Sequence, residues 1–279
     1  MIYVKGMKGL GDNIYQRSFI TQLASRDNIL LETPWPELYD NINNISFIRT
    51  VTTLRTQNKN IERNSNIEWV EYPSKDMTPI RINYANNGII ADMSKCFGII
   101  PGPMELPDWR GKYQWITDLP KFALVRPVTV RREWKNTARN PLPEYVAEAT
   151  RILKSQGYYI ISIADICANE EWALDPMPES DLQFHAGELN IKELMALVNA
   201  SSMIVAGVGW IVPAAIAYDK KAWIVLGGCG DTNHPDKIGK SSKIGYAKPD
   251  NYCICDNPLH ECDKVISDHE NKFVNWLKQ

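Results

Sequence analysis

The amino-acid sequence predicts an α/β protein, because strand-like and helix-like segments alternate in two separate series. The first series starts at the apolar segment IYVKG. The second starts near Phe122 and ends in the amphipathic segment DHENKFVNWLK, a predicted C-terminal helix. Such alternation is typical of parallel sheets that helices cover on both faces. Between the two series lies IPGPMELPDW, whose proline and glycine content marks a domain boundary. We therefore predict two Rossmann-like domains, residues 1–115 and 116–279, with a ligand cleft between them.

The first series is predicted to contain three strands, IYVKG, NILLET and SFIRTVTTL. After the first strand, DNIYQRSFITQLASR places Ile14, Phe19 and Ile20 on one side of a helix. Pro36 suits the first turn of a short helix. The polar stretch from Arg55 to Asn66 is predicted to be a loop, and a helix is expected in the second half of INYANNGIIADMSKCFGI.

The second series is predicted to contain four strands, FALVRPVTV, YYIISIA, SMIVAG and AWIVLGG. The helices of this series are PLPEYVAEATRILKSQG, NIKELMALVNAS and the short WIVPAAIAY. Prolines open the first of these helices and Gly157 closes it, while Asn190 is the expected N-cap of the second.

Composition narrows the class of protein. A hydrophobic content of 44% and a charged content of 23% are those of a globular chain. The net charge of -2 argues against a protein held to nucleic acid by its overall charge, although a local basic patch remains compatible with it. No apolar run is long enough to span a bilayer, and no secretion signal precedes the first strand. We therefore expect a cytoplasmic protein.

The loop after the first strand carries Gly6, Gly9 and Gly11, followed at once by Asp12. A dinucleotide fingerprint is one interpretation, with Glu32 in the place of the ribose-binding acid, but the third glycine of GxGxxG is absent. A second interpretation is a tight turn in which Asp12 caps the helix. In a third, the glycines bring the Asp12 carboxylate to the cleft as a general base.

The segment KGLGDNIYQRSFITQL resembles the N-terminal motif of the heptosyltransferase-like glycosyltransferases: a strand, then Gly-x-Gly-Asp, then a helix. Three later segments are similar to further blocks of that family in the same order. They begin at LVRPVTVRREWKNTARN, at ELNIKELMALVNASSMIVAG and at YCICDNPLHEC. The resemblance implies two Rossmann-like domains of the GT-B type, Asp12 as catalytic base, and inversion at the sugar's anomeric carbon.

One departure from the family concerns the turn after SMIVAG. The family has an Asp-Thr-Gly-like turn followed by a histidine, whereas this chain has Val208, Gly209 and Trp210, with Pro213 near the histidine position. A donor-contacting carboxylate is therefore missing, and the identity of the sugar nucleotide stays open.

A basic segment follows the first strand of the second series. Between Lys121 and Arg139 six cations face a single acid, Glu133; the six are Lys121, Arg126, Arg131, Arg132, Lys135 and Arg139. Such density suits a diphosphate leaving group, which gains negative charge during transfer. A solvated basic loop is the alternative. No Asp-x-Asp pair that would hold a divalent ion on a sugar nucleotide is present.

Two glycine turns complete the predicted donor site. GVGW allows backbone amides to approach a ligand and offers Trp210 for stacking, while GGCGDTN is expected to be a polar loop at the sheet edge where ligands bind. We assign donor binding to Gly9, Gly11, Thr129, Arg131, Arg132, Lys135, Arg139, Gly207, Gly209, Trp210 and Gly228.

The chain has six cysteines, three of them close together near the C-terminus. Cys253, Cys255, His260 and Cys262 offer four zinc ligands, but their spacing is not that of a standard finger or ribbon. Reduced thiols packed before the last helix are the alternative, and no metal is expected to be required.

These observations predict a metal-independent glycosyltransferase, and the family resemblance implies that it inverts the anomeric carbon and is of the hexosyl or heptosyl type. It would need no cofactor, take a nucleotide-diphosphate sugar as donor and act on a saccharide or another hydroxyl acceptor. One alternative acceptor is a hydroxylated base in viral DNA, which the modest net charge disfavours. The other alternative is a non-catalytic protein of the same fold that binds a nucleotide or a sugar.

Overall fold

The structure, a computed structural model, describes residues 1–279. Its N-terminal sheet has five parallel strands in the order β4-β3-β2-β1-β5. The strands are β1 (Ile2–Lys5), β2 (Ile29–Thr33), β3 (Ile45–Arg49), β4 (Trp69–Val70) and β5 (Ile80–Arg81). The helices of this half are α1 (Leu10–Ala24), α2 (Arg55–Arg63) and α3 (Ile89–Phe97), with a 3-10 turn at Pro36–Tyr39.

The C-terminal sheet has six parallel strands in the order β10-β8-β6-β11-β12-β13. They are β6 (Phe122–Val125), β8 (Tyr159–Ile163), β10 (Leu182–Phe184), β11 (Met203–Gly207), β12 (Ala222–Val225) and β13 (Ile244–Ala247). A separate antiparallel ribbon joins β7 (Thr129–Arg131) to β9 (Glu171–Ala173).

Seven helices belong to the remainder of the chain, after a 3-10 turn at Arg110–Lys112. They are α4 (Gln114–Thr117), α5 (Pro143–Ser155), α6 (Ile191–Ala200), α7 (Ile211–Ala217), α8 (Gly230–Asn233), α9 (Pro235–Ile238) and α10 (His269–Leu277). None of the helices is both long and apolar enough to cross a membrane. The predicted domain boundary after residue 115 falls inside α4 and remains a prediction.

The strand orders show where a ligand would bind. Counted from its first strand, the C-terminal sheet has the order 3-2-1-4-5-6 of dinucleotide-binding sheets, and the strand order reverses between β6 and β11. In the N-terminal sheet the reversal lies between β1 and β5. Ligands of such sheets bind outside the carboxyl ends of the strands at these reversal points. The two sheets also share one apolar core, in which Phe19 of α1 and Val212 of α7 are fully or almost fully buried.

The prediction of an α/β fold with parallel sheets is confirmed, while three predicted elements are wrong. The polar stretch from Arg55 is helix α2, not a loop, because buried amides hold it: Asn60 Nδ2 donates to Pro34 O at 2.8 Å and Asn64 Nδ2 to Glu37 Oε1 at 2.6 Å. FALVRPVTV is two strands, separated at Pro127, which has no N–H to donate to a sheet. AWIVLGG was predicted to be the last strand, but β13 follows it. Part of GGCGDTN, which was predicted to be a loop, forms α8.

Candidate functional site

A cleft of about 890 Å³ lies at the carboxyl ends of both sheets. Its walls come from the segments that follow β1, β5, β6, β8 and β11. A volume of several hundred Å³ is the usual size of small-molecule sites, so the cleft has room for a nucleotide-sized ligand.

Buried amide side chains of α1 fix the loop after β1. Asn13 is fully buried, and its Nδ2 donates to Met7 O at 2.6 Å and to Gly9 O at 2.8 Å. The Thr33 hydroxyl donates to Asn13 Oδ1 at 2.7 Å, and Met7 N–H donates to Gln16 Oε1 at 3.0 Å. Asn13 and Gln16 were not predicted as site residues; the signal available in the sequence was two amides one helical turn apart, beside the apolar Ile14, Phe19 and Ile20.

Asp12 is the third residue of α1 and lines the cleft. The N-cap of this helix is Gly9, and no side chain caps it. The Tyr84 hydroxyl, which follows β5, donates to Asp12 Oδ1 at 2.6 Å, so the contact spans the reversal point of the N-terminal sheet. Burial raises the pKa of Asp12, and the Tyr84 hydrogen bond and the charge of Arg139 act against that rise. The carboxylate is therefore placed to accept a proton from a hydroxyl in the cleft.

Gly9 and Gly11 lie where a larger residue would be crowded by its neighbours. A Cβ atom on Gly9 would overlap the Asp12 carboxylate, and one on Gly11 would lie 3.1 Å from Trp210 Cα. Gly11 thus lets the loop after β1 approach the turn after β11, which brings the two reversal points together.

Arg126 and Arg139 present positive charge to the cleft without a carboxylate partner. Both line the cleft, and neither forms one of the structure's ion pairs. Burial, with a smaller contribution from the charge of Arg131, lowers the pKa of Arg126 to about 10 and lowers that of Arg139 as well. Arg139 Nε has no hydrogen-bond partner, and the Trp134 ring lies over its guanidinium at 4.9 Å. Two arginines without a carboxylate ion-pair partner in one cleft are the kind of groups that can bind an anion.

Arg131 and Thr129 already have a carboxylate partner in the buried Glu171. In this they differ from Arg126 and Arg139. Arg131 Nε lies 2.8 Å from Glu171 Oε2, and the Thr129 hydroxyl donates to Glu171 Oε1 at 2.9 Å. Glu171 is only 1% exposed, so it must be paired inside the protein. Glu171 was not predicted as a site residue from the sequence, in which it follows Thr129 by 42 residues.

Solved structures of glycosyltransferases have the same fold. A family 9 glycosyl transferase from Veillonella parvula DSM 2008 is 12% identical, with a TM-score of 0.65 over 99% of this chain and 96% of that one. The iron-containing dodecameric glycosyltransferase TibC from enterotoxigenic E. coli H10407 is 14% identical, with a TM-score of 0.64 over 99% of this chain and 76% of that one. E. coli ADP-heptose lps heptosyltransferase II is 12% identical, with a TM-score of 0.58 over 100% and 99%. This chain has the GT-B fold.

At these identities the likeness concerns the fold, and it confirms the remote heptosyltransferase resemblance at that level. Neither a protein-family model nor a curated protein matches the chain.

The GT-B cleft brings together eight of the residues assigned from the sequence: Gly9, Gly11, Asp12, Thr129, Arg131, Arg139, Gly209 and Trp210. It does not bring in Arg132 and Lys135, which are exposed beyond its lining, or Gly207 and Gly228. Lys121 lies at the opposite end of β6, with its Nζ 4.2 Å from the centre of the Tyr158 ring. Glu32 is buried within the N-terminal sheet, where the Tyr3 hydroxyl donates to it at 3.1 Å. It does not line the GT-B cleft, so the dinucleotide interpretation gains no support.

Helix α2 bridges the mouth of the GT-B cleft to the C-terminal half. Arg55 Nη1 lies 2.9 Å from Asp165 Oδ1 and Lys59 Nζ lies 3.1 Å from the same oxygen. Arg63 Nη2 donates to Gly187 O at 2.6 Å. The structure thereby shows the two halves joined by ion pairs and hydrogen bonds at a place where the sequence analysis expected a loop.

Cys253, Cys255, His260 and Cys262 come together beside the GT-B cleft, with all four candidate ligand atoms within 4.8 Å of one another. Cys253 Sγ lies 3.5 Å and Cys262 Sγ 3.3 Å from His260 Nδ1, and Cys255 Sγ lies 3.5 Å from Cys262 Sγ. Bonds of about 2.0–2.3 Å from one tetrahedral ion to three sulfurs and a nitrogen fit these separations. The residues present therefore fit a metal ion.

Proposed function

We propose that the protein is a glycosyltransferase that moves a sugar from a nucleotide-diphosphate sugar to a hydroxyl acceptor. The observation that carries this proposal is a pair of arginines without carboxylate partners, Arg126 and Arg139, in the same cleft as the Asp12 carboxylate. A cationic site for a leaving group and a base for a nucleophile are the two groups that the reaction requires.

The arginines would bind the donor's diphosphate. Arg126 follows β6 and the turn containing Gly209 follows β11, so both lie at the reversal point of the C-terminal sheet. Guanidinium pairs match phosphate oxygens and gain strength as the departing diphosphate becomes more negative. We propose that these arginines, rather than a divalent cation, neutralise the diphosphate. One neighbour in fold was solved with ADP-D-beta-D-heptose, which supports a sugar nucleotide as the ligand class.

Asp12 would activate the acceptor. Burial and the charge of Asp12 raise the pKa of Tyr84, so its phenol keeps its proton and donates to the carboxylate. An acceptor hydroxyl that donates in the same way would lose its proton to Asp12 as its oxygen attacks the anomeric carbon. The bond from that carbon to the diphosphate breaks, and the nucleoside diphosphate leaves toward Arg126 and Arg139. Because base and leaving-group site come from different halves of the chain, a single displacement with inversion is the expected course.

Binding and transfer are measured separately. ADP, GDP, UDP and CDP are each titrated into the purified protein by calorimetry, and we expect one of them to bind. Sugar transfer and donor hydrolysis are then followed with the corresponding sugar nucleotides. Binding without any turnover would contradict the enzyme and favour a nucleotide-binding protein, whereas an absence of binding to all four would contradict the donor site.

Tyr84→Phe is expected to shift the acid limb of the pH profile of kcat/KM to higher pH. The Tyr84 hydrogen bond lowers the pKa of Asp12, so its loss raises that pKa, and the base form then requires a higher pH. Tyr72→Phe is the matched control, because the exposed Tyr72 donates to Arg49 O outside the cleft. A Tyr84→Phe profile that coincides with that of the control would show that Tyr84 does not position the base.

A further inference from the structure

The loop 253–262 lies against the segment that carries Arg139. Ala138 N–H donates to Pro258 O at 3.0 Å, and Lys264 Nζ donates to Thr137 O at 2.7 Å. On its other side the same segment is bonded to the turn after β12, where Gly228 N–H donates to Ala138 O at 2.6 Å. The backbone on the N-terminal side of Arg139 is therefore held between the cysteine loop and the glycine turn.

The cysteine loop also packs directly on that glycine turn. A Cβ atom on Gly228 would overlap Cys262 Sγ, so only glycine fits against this sulfur. Gly230 N–H donates to Cys253 O at 2.9 Å and Asp231 N–H donates to Cys255 O at 3.2 Å, which ties the loop to α8. Thr232 and Asn233 of α8 line the cleft. Two cleft walls thus rest on one short loop.

That loop has no regular secondary structure to hold its own shape. No helix or strand lies between the end of β13 at Ala247 and the start of α10 at His269. The side chains of Ile254 and Leu259 are exposed, so the loop contributes little apolar burial. In such segments a metal ion that joins several side chains supplies the missing stability.

We propose that Cys253, Cys255, His260 and Cys262 bind one tetrahedral transition-metal ion, and that this ion holds Arg139 in place for the donor's diphosphate. Three thiolates and one imidazole are a set that most often holds zinc. The metal takes no part in the transfer step; it fixes the loop on which the Arg139 segment and α8 rest. The coupling to Arg139 rests on the proposed function, whereas metal binding does not.

The test measures metal content and nucleotide affinity on the same samples of the full chain. Elemental analysis should find about one equivalent of a transition metal in the wild type and little in Cys255→Ser/Cys262→Ser. Cys96→Ser and Cys167→Ser are the controls, because both cysteines lie outside the cluster and should leave the metal in place. Titration with ADP, GDP, UDP and CDP should show affinity weakened by about tenfold or more in the double variant. If the substitutions impair folding, the metal can instead be removed from the wild type with a chelator. Affinity should then fall by the same factor, and return of the metal should restore it.

Arg139→Gln separates the proposed coupling from a general loss of structure. In an Arg139→Gln background, loss of the cysteines should weaken binding only slightly further, because the residue through which the ion acts is already gone. Full additivity of the two losses would overturn the coupling. A wild-type protein that contains no metal would overturn the metal site. An unchanged nucleotide affinity in the double variant would overturn the role of the metal in donor binding. Bound metal with no nucleotide binding would leave the metal site intact but contradict the proposed function.

Discussion

Asp12→Asn is expected to lower the rate of sugar transfer at saturating donor by roughly 10²–10⁴-fold, the usual range for losing general base catalysis. Asparagine keeps the size of the side chain and an oxygen that can accept the Tyr84 hydrogen bond. It has no basic carboxylate, so the acceptor hydroxyl keeps its proton. Because the substitution leaves the fold and the positions of both arginines unchanged, the melting temperature and the affinity for nucleoside diphosphate should stay close to those of the wild type.

Glu144→Gln is a matched control for this variant. Glu144 is an exposed acid in the first turn of α5, away from the cleft, so its change measures what a first-turn charge contributes to a helix in this chain. Similar small changes in melting temperature for both variants, with transfer lost in Asp12→Asn alone, would support the base. A near-normal transfer rate in Asp12→Asn would leave Asp12 with a structural role in the first turn of α1.

Arg126→Gln and Arg139→Gln are each expected to weaken binding of the nucleoside diphosphate by roughly 10–150-fold, the range for losing a hydrogen bond to a charged group. Both residues bear charges that have no carboxylate partner in the cleft, so the diphosphate is their expected counter-ion. The same loss of positive charge should flatten the dependence of affinity on ionic strength. Calorimetric titration at two salt concentrations measures both effects.

Arg132→Gln and Lys135→Gln are the controls within the same segment. From the sequence alone both residues were expected to bind the donor, but they are exposed and lie beyond the cleft lining. Because the structure places them in solvent, we expect changes below about threefold. Losses at Lys135 as large as those at Arg139 would show that the diphosphate lies outside the cleft, against the exposed face of the segment.

Most of the fold could be predicted from the sequence because the spacing of apolar residues indicates which face of a helix or strand is buried. The alternating series and the position of Asp12 after a glycine turn follow from local patterns, and the structure has both. Helix α2 was mispredicted because buried amides and ion pairs to distant residues hold it, and a window of sequence contains neither partner. The sequence of α2 has too few apolar residues for a helical period to be recognised.

The sequence predicted that a basic segment contributes to the donor site, but it did not predict which of the basic residues of that segment lack a carboxylate partner. Whether an arginine is free depends on the position of carboxylates elsewhere in the chain. Glu171 pairs with Arg131, and also with Arg55, although α5 and β8 separate Glu171 from Arg131 in the sequence, and no spacing rule links these residues. The cysteine motif shows the converse, since its four side chains are close in sequence and the structure brings them together.

The bridge from α2 bears on how long a nucleotide would remain bound. Its arginine is only 20% exposed where it meets Asp165 and the buried Glu171, so these pairs are screened less by salt than surface pairs are. Residues of α2 line the cleft, so separation of these contacts would widen its opening. If release of the product requires this widening, release rather than bond formation would limit the turnover rate. The same closure would keep bulk water from the activated sugar and so suppress its wasteful hydrolysis.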